Sequence, residues 1–330
     1  MLTNMKKRSA LLLSLAVVCA TVVIVPQTAG AAASKQPSAA LTPVAPSVAE
    51  GMVACPGDSA PAAGFTDTTS TDVDCIKMFG ITQGTTATTY EPDGSIPRWQ
   101  MALFIHRMFV PTGVAAAGAV AVPAFTDTSG LSTEIQAAIT ALASHGITVG
   151  TSATEFSPND NVTREQMALF LDRFSIIAKD HAGAAITRNV ASGNYNYTDI
   201  GSTGFEAMES IISLFNLGVT EGYVTAAAAS RSYRPTDNIT RAEMASMVTR
   251  LLNHTNARPA GITIQTSTVG AALAPQATDV MISVRNADFT PIANELVDEF
   301  YQNHNDLLAA VAPFTALGTV GTSTSNSVGV

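Results

Sequence analysis

Residues 125–173 carry four landmarks: Phe125-Thr126-Asp127, Gly146-Ile147-Thr148-Val149-Gly150, Phe156-Ser157-Pro158, and Thr163-Arg164-Glu165-Gln166-Met167-Ala168-Leu169-Phe170-Leu171-Asp172-Arg173. The same four precede them as Phe65-Thr66-Asp67, Gly80-Ile81-Thr82-Gln83-Gly84, Tyr90-Glu91-Pro92 and the run from Arg98 to Arg107. They follow again as Tyr197-Thr198-Asp199, Gly218-Val219-Thr220-Glu221-Gly222, Tyr233-Arg234-Pro235 and the run from Thr240 to Arg250. A unit repeated in tandem sets the architecture before any single element is assigned.

Each landmark has a physical reading. Between the aromatic-Thr-Asp start and the glycine pair, Ile135, Ala138, Ile139 and Leu142 fall at i, i+3, i+4, i+7, as do Met208, Ile211, Ile212 and Phe215; this spacing predicts a short helix with one apolar face. Gly80, Gly146 and Gly218 stand where that helix should stop, a place suited to a left-handed cap. Thr163 with Gln166, and Thr240 with Glu243, fit the capping box that opens a second helix, worth about 1 kcal/mol at each start. Behind it Met101, Phe104, Ile105 and Met108, then Met167, Phe170, Leu171 and Phe174, then Met244, Met247, Val248 and Leu251 repeat at helical spacing, so the methionines read as core filling. The first copy has Pro97 where the others have threonine; proline suits a helix start but offers no hydroxyl cap.

These landmarks resemble the S-layer homology domain family over residues 65–252, in three units. The resemblance implies a mainly α fold, with three helix-loop-helix repeats in a pseudo-threefold bundle, the longer helices at the centre and the shorter ones in outer prongs. It also implies binding of an anionic secondary cell-wall polysaccharide, or another peptidoglycan-linked glycan, in grooves between the prongs. Carried over residue by residue, the ligand-contacting arginines are Arg98, Arg164 and Arg241, with Gln100, Gln166 and Glu243 at the matching acidic or amide positions. An arginine in the first turn of a helix adds a fixed charge and a forked donor to the positive end of the helix dipole, which favours a carboxylate. The alternative is that these arginines pair with Asp67, Asp127 and Asp199, or with a neighbouring unit, and hold the fold.

Outward from the repeats, residues 1–33 combine Lys6, Lys7 and Arg8 with an apolar stretch from Ala10 to Val25, Pro26 and small residues at 29–33, the pattern of a secretory signal. A membrane anchor is the competing reading of that stretch. The chain is acidic, with a formal charge of −9, and loss of those three cations makes it more so, which argues against nucleic acid as a partner. Cys19 leaves with the signal; the remaining Cys55 and Cys75 form an even pair that in an exported chain reads as one disulfide, two free thiols being the alternative. The sequence around Cys55 and Cys75 also resembles actinobacterial members of the family, which implies that the bridge staples the N-terminal lead to the first prong.

The organisation read is a signal peptide at 1–33, a flexible lead rich in Ala, Pro, Ser and Val at 34–53, repeat units at 54–110, 111–175 and 176–258, and a partial β segment at 259–330. In the last, 262–266 and 280–285 alternate and favour β-branched residues, like the opening strands of an immunoglobulin-like module that lacks most of its seven or so strands. The connectors near 110–124 and 175–196 are expected to be ordered by crossing between prongs. The five histidines are scattered without zinc spacing, and there is no phosphate loop or serine elbow, so neither an enzyme, a cofactor nor a metal is expected. The acidic turns at 159–161 and 236–238 lack the ligand count of a calcium loop. The function expected is non-covalent anchoring of a secreted protein at the cell wall, alone or as an S-layer or surface-array subunit, with no membrane partner after signal cleavage. The competing functions are the anchor region of a longer extracellular hydrolase and a self-assembling adhesin.

Overall fold

A computed structural model describes residues 53–56, 59–191, 195–225, 230–266, 280–301 and 318–324. The expected signal peptide and nearly all of the lead lie outside these residues. Among these residues six α-helices form three short-long pairs: α1 (Thr71–Met78) with α2 (Arg98–Thr112), α3 (Thr133–Ser144) with α4 (Arg164–Ile177), and α5 (Phe205–Asn216) with α6 (Arg241–Asn253). The strands are β1 (Tyr223–Val224), β2 (Arg231–Ser232), β3 (Gly261–Thr266), β4 (Val280–Arg285), β5 (Leu296–Tyr301) and β6 (Gly318–Thr324), so the protein is mainly helical with small sheets.

Every short helix stops in the same way. Gly80, Gly146 and Gly218 sit at φ of 70°, 72° and 72°. Their N–H groups donate to Lys77, Ala143 and Phe215, and the next residues, Ile81, Ile147 and Val219, donate five residues back to Ile76, Leu142 and Leu214. This is the Schellman arrangement, which satisfies carbonyls left over at a helix end, and its apolar residue is fully buried in all three units. The capping boxes at Thr163 and Thr240 are both formed, whereas Pro97 makes no side-chain cap.

The units interlock in a ring. The long helix of each packs on the short helix of the next, α2 on α3 and α4 on α5, and α6 returns to α1. Just before the long helices, Ile96, Val162 and Ile239 are fully buried side by side, with Val162 N–H donating to Ile96 at 2.8 Å and Ile239 N–H to Val162 at 3.0 Å. The apolar faces read from the spacing line this core: Phe104, Phe170, Met247 and the other long-helix positions are at most 4% exposed. Ion pairs Arg107–Glu134 and Arg173–Glu206, both 2.7 Å, bridge two of the joints, while Ser246 donates to Asp72 at the third. Their acidic partners are solvated, so they add little.

The long connectors lie against the helices. Gly118 and Val120 donate to Ser144, and Arg188 reaches buried Asp172 at 2.9 Å, where Ser210 also donates. After residue 259 the two expected strands are present as β3 and β4, paired as an antiparallel hairpin from Gly261–Arg285 to Thr266–Val280. β5 pairs only with β6, so the described strands form two-stranded sheets, and a sandwich is not assembled among the described residues. The hairpin end docks through Phe289, whose ring meets Phe79 edge-on at 5.0 Å.

Cys55 and Cys75 are joined in a disulfide with a Cα–Cα distance of 5.9 Å. It ties the lead to α1, and from there Ala54 N–H donates to Asn253 at the end of α6 and Val53 N–H to Gln265 in β3. The bridge closes a loop of 20 residues, which corresponds to about 3 kcal/mol of chain entropy removed from the unfolded state. A Cys55→Ala/Cys75→Ala chain is therefore expected to lose about 3 kcal/mol in urea unfolding; an unchanged midpoint would mean that the lead is held by its other contacts alone.

Candidate functional site

The aromatic-Thr-Asp landmark builds the site from its carboxylate. Asp67 accepts the N–H groups of Tyr90 and Glu91, Asp127 those of Phe156 and Ser157, and Asp199 those of Tyr233 and Arg234, at 2.7–2.9 Å for the best bond to each. Burial pushes the Asp199 carboxyl up, but Ser232 and these two N–H groups outweigh it and hold it below the usual carboxylate range. The same clamp fixes Glu91, Ser157 and Arg234 at φ of 58°, 55° and 57°, a left-handed conformation that non-glycine residues seldom adopt. Its effect is to turn Tyr90, Phe156 and Tyr233 inward until they are fully buried.

Onto these rings come the three arginines, each from another unit. The guanidinium carbons of Arg98, Arg164 and Arg241 lie 4.8, 4.9 and 4.6 Å from the centroids of Phe156, Tyr233 and Tyr90. Their Nε groups donate to the carbonyls of those residues at 2.8, 2.7 and 2.5 Å. Nη1 then finds the matching acid or amide of a neighbour: Arg98 meets Gln166 at 3.4 Å, Arg164 meets Glu243 at 3.2 Å, and Arg241 meets Gln100 at 2.8 Å. The six carried-over positions thus come together, but as three pairs between units. With exposures of 4%, 4% and 2%, the arginines are embedded, and burial lowers the pKa of Arg98 and Arg241. All three arginines contact a neighbouring unit, Arg164 and Glu243 also line the cavity described next, and Asp67, Asp127 and Asp199 are occupied by backbone N–H groups.

An open site lies at the third unit. A cavity of about 360 Å³ lies between the turn at 219–223, the loop at 234–238 and the start of α6, with Arg164 and Asp93 reaching it from the other two units. Tyr223 is its centre: the guanidinium carbons of Arg164 and Arg234 lie 4.7 and 4.2 Å from its ring centroid, and its hydroxyl donates to Glu243. Burial pushes the Tyr223 hydroxyl up to about 12, against the opposing pull of Arg164 and with a further push from Glu243. The Glu243 carboxyl, also raised by burial, ends below its ordinary value because Tyr223, Arg164 and the Thr240 cap stabilise its charge. Arg234 is exposed and makes no ion pair among the described residues.

Sequence reasoning missed three residues that line this cavity, Tyr223, Arg234 and, further along α6, Arg250. The signal for the first two lay in the departures from the repeat: Tyr223 stands where the other units have Thr85 and Thr151, and Arg234 where they have Glu91 and Ser157. Among the described residues no group of three His, Cys, Asp or Glu is placed to hold a metal ion, and no helix is long and apolar enough to cross a membrane.

The S-layer homology domain family model matches residues 124–168 and 196–245. Residues 124–168 and 196–245 are thus S-layer homology domains. Domains of this family mediate anchoring at the cell wall. The matched spans fall in the second and third units; the first, with Pro97, lies outside them although it repeats their geometry. An endoglucanase from Bacillus sp. (strain KSM-635) is 30% identical over 174 residues, which is 51% of this chain and 16% of that protein. The match therefore spans under a fifth of that relative's length.

Proposed function

We propose that this chain anchors an exported protein non-covalently to the bacterial wall by binding an anionic secondary wall polysaccharide, and that the third-unit cavity makes the contact. The observation carrying this reading is the exposed Arg234 held against Tyr223 at the cavity, a forked donor beside an aromatic surface. A guanidinium takes a carboxylate through two parallel hydrogen bonds, and the ring offers a sugar an apolar face. Glu221, Asp237 and Glu243 line the same space and can accept from sugar hydroxyls. The buried arginines contribute indirectly, by fixing the walls. We take the cyclic hand-off between units as a pseudo-threefold bundle, 1–33 as the export signal, and the strands beyond 259 as the start of a β-module; the chain itself is read as non-enzymatic.

The test is cosedimentation with isolated walls before and after extraction of their secondary polymer, comparing the parent chain with Arg234→Ala and Tyr223→Thr. Expected are binding to intact walls, loss on extraction, and a drop of roughly tenfold in affinity for Arg234→Ala at unchanged melting temperature, the 1–3 kcal/mol of a charge-assisted pair. Equal binding by the parent chain and Arg234→Ala would remove the cavity from the reading, and equal binding to extracted walls would remove the polymer. The partial match to an endoglucanase favours one second reading, in which such a unit tethers a longer hydrolase.

A further inference from the structure

Where the hairpin meets the helical body, two arginines are buried without an acid. Arg258, just after α6, is 0% exposed, and Arg285, the last residue of β4, is 2% exposed. Arg258 donates from Nη1 to the Thr255 and Ala257 carbonyls, while Arg285 donates from Nη2 to the carbonyl and side chain of Asn256. Nε and Nη2 of Arg258, and Nε and Nη1 of Arg285, are buried with no hydrogen-bond partner among the described residues. Ser283 Oγ and Gln265 Nε2 are in the same condition. The hairpin register pairs Met281 with Gln265 and Arg285 with Gly261, so Gln265, Ser283 and Arg285 occupy one face of the hairpin. All of these unpaired atoms are donors or can act as one.

A guanidinium does not shed its proton in this pH range, and two like charges taken out of water each cost several kcal/mol unless something neutralises them. Burial, with the neighbouring Arg285 charge, pulls the Arg258 guanidinium down to about 10, which still leaves it charged at neutral pH. We propose that Arg258 and Arg285, with Ser283 and Gln265, form a buried site for one tetrahedral oxyanion of the sulfate or phosphate type that locks the β3–β4 hairpin onto the helical body. A dianion matches the two positive charges, and four guanidinium N–H vertices suit its oxygens. Gly261, the register partner of Arg285, is exposed, and an added Cβ there would meet nothing within 4 Å, so the edge of this face is open to solvent.

The test follows melting of the purified chain, dialysed free of multivalent anions, against sodium sulfate and sodium phosphate with chloride holding the ionic strength constant. Arg285→Gln, Arg258→Gln and, as a control away from the site, Arg188→Gln are run beside it, and equilibrium dialysis with labelled sulfate counts ions bound to the parent chain. Expected are one saturable ion per chain, a rise of roughly 3–6 °C at tenfold excess over Kd, and loss of that rise in the two site variants but not in Arg188→Gln. Absence of saturable binding to the parent chain, or an equal response in the site variants, would overturn the proposal and leave the two charges to buried water. Because dialysis uses the parent chain, a site variant that does not fold leaves the binding measurement decisive.

Discussion

Arg164→Ala is expected to cost about 2–4 kcal/mol, mostly from the lost hydrogen bond and packing of a buried side chain, since Glu243 is 29% exposed and can be rehydrated. The truncation takes away the Nε bond to the Tyr233 carbonyl and the 3.2 Å contact with Glu243, and it empties the space beside the rings of Tyr223 and Tyr233. Glu243 is left with Tyr223 and its own cap but no cation. Arg241→Ala should cost less and Arg98→Ala less again, because their end-on partners are the neutral Gln100 at 2.8 Å and Gln166 at 3.4 Å. Exposed Arg234→Ala should stay within about 0.5 kcal/mol. Urea unfolding of the four variants checks the order; a change below about 1 kcal/mol for Arg164→Ala would mean that the ring of units closes without its arginines. The order bears directly on function, since lost wall binding in Arg164→Ala would report a damaged scaffold, whereas loss in a folded Arg234→Ala reports the contact surface.

The repeats, helix stops and capping boxes were legible because each is local: the residues that set a Schellman turn or a capping box lie within six positions of one another. The place of the arginines in the first turn was legible for the same reason. Their destination was not, since the carbonyl each one meets is 58, 69 or 151 residues away in the chain. Helix-dipole reasoning gave no sign of the aromatic ring and peptide oxygen that each arginine meets in a neighbouring unit. Tyr223 and Arg234 escaped for a different reason: looking for a repeat weights what the units share, and these two cavity residues are ones the third unit does not share. Beyond residue 259 the alternation correctly marked β3 and β4, but periodicity carries no information on which sheet a strand joins.

Within one turn of the second unit, two glycines are expected to respond very differently to alanine. At Gly146 the φ of 72° is unfavourable for a side chain, but the new Cβ would meet only a Val120 methyl at 3.8 Å, so the cost should be about 1 kcal/mol. At Gly150 the φ is 84°, and the Cβ would fall 2.5 Å from the Phe125 ring and from the Glu155 carbonyl oxygen, and 2.7 Å from that of Ser152. Two of these three obstacles are backbone and cannot swing away, so strain and overpacking add to about 3–5 kcal/mol. The damage should also travel: Phe125 packs on Phe156 with centroids 5.8 Å apart, and Phe156 is the ring on which Arg98 rests. A double-mutant cycle of Gly150→Ala with Arg98→Met should then be less than additive, because the first change already disturbs what the second removes. Equal costs for Gly146→Ala and Gly150→Ala would show that the ring tolerates displacement, and full additivity that the turn and the arginine joint are mechanically separate.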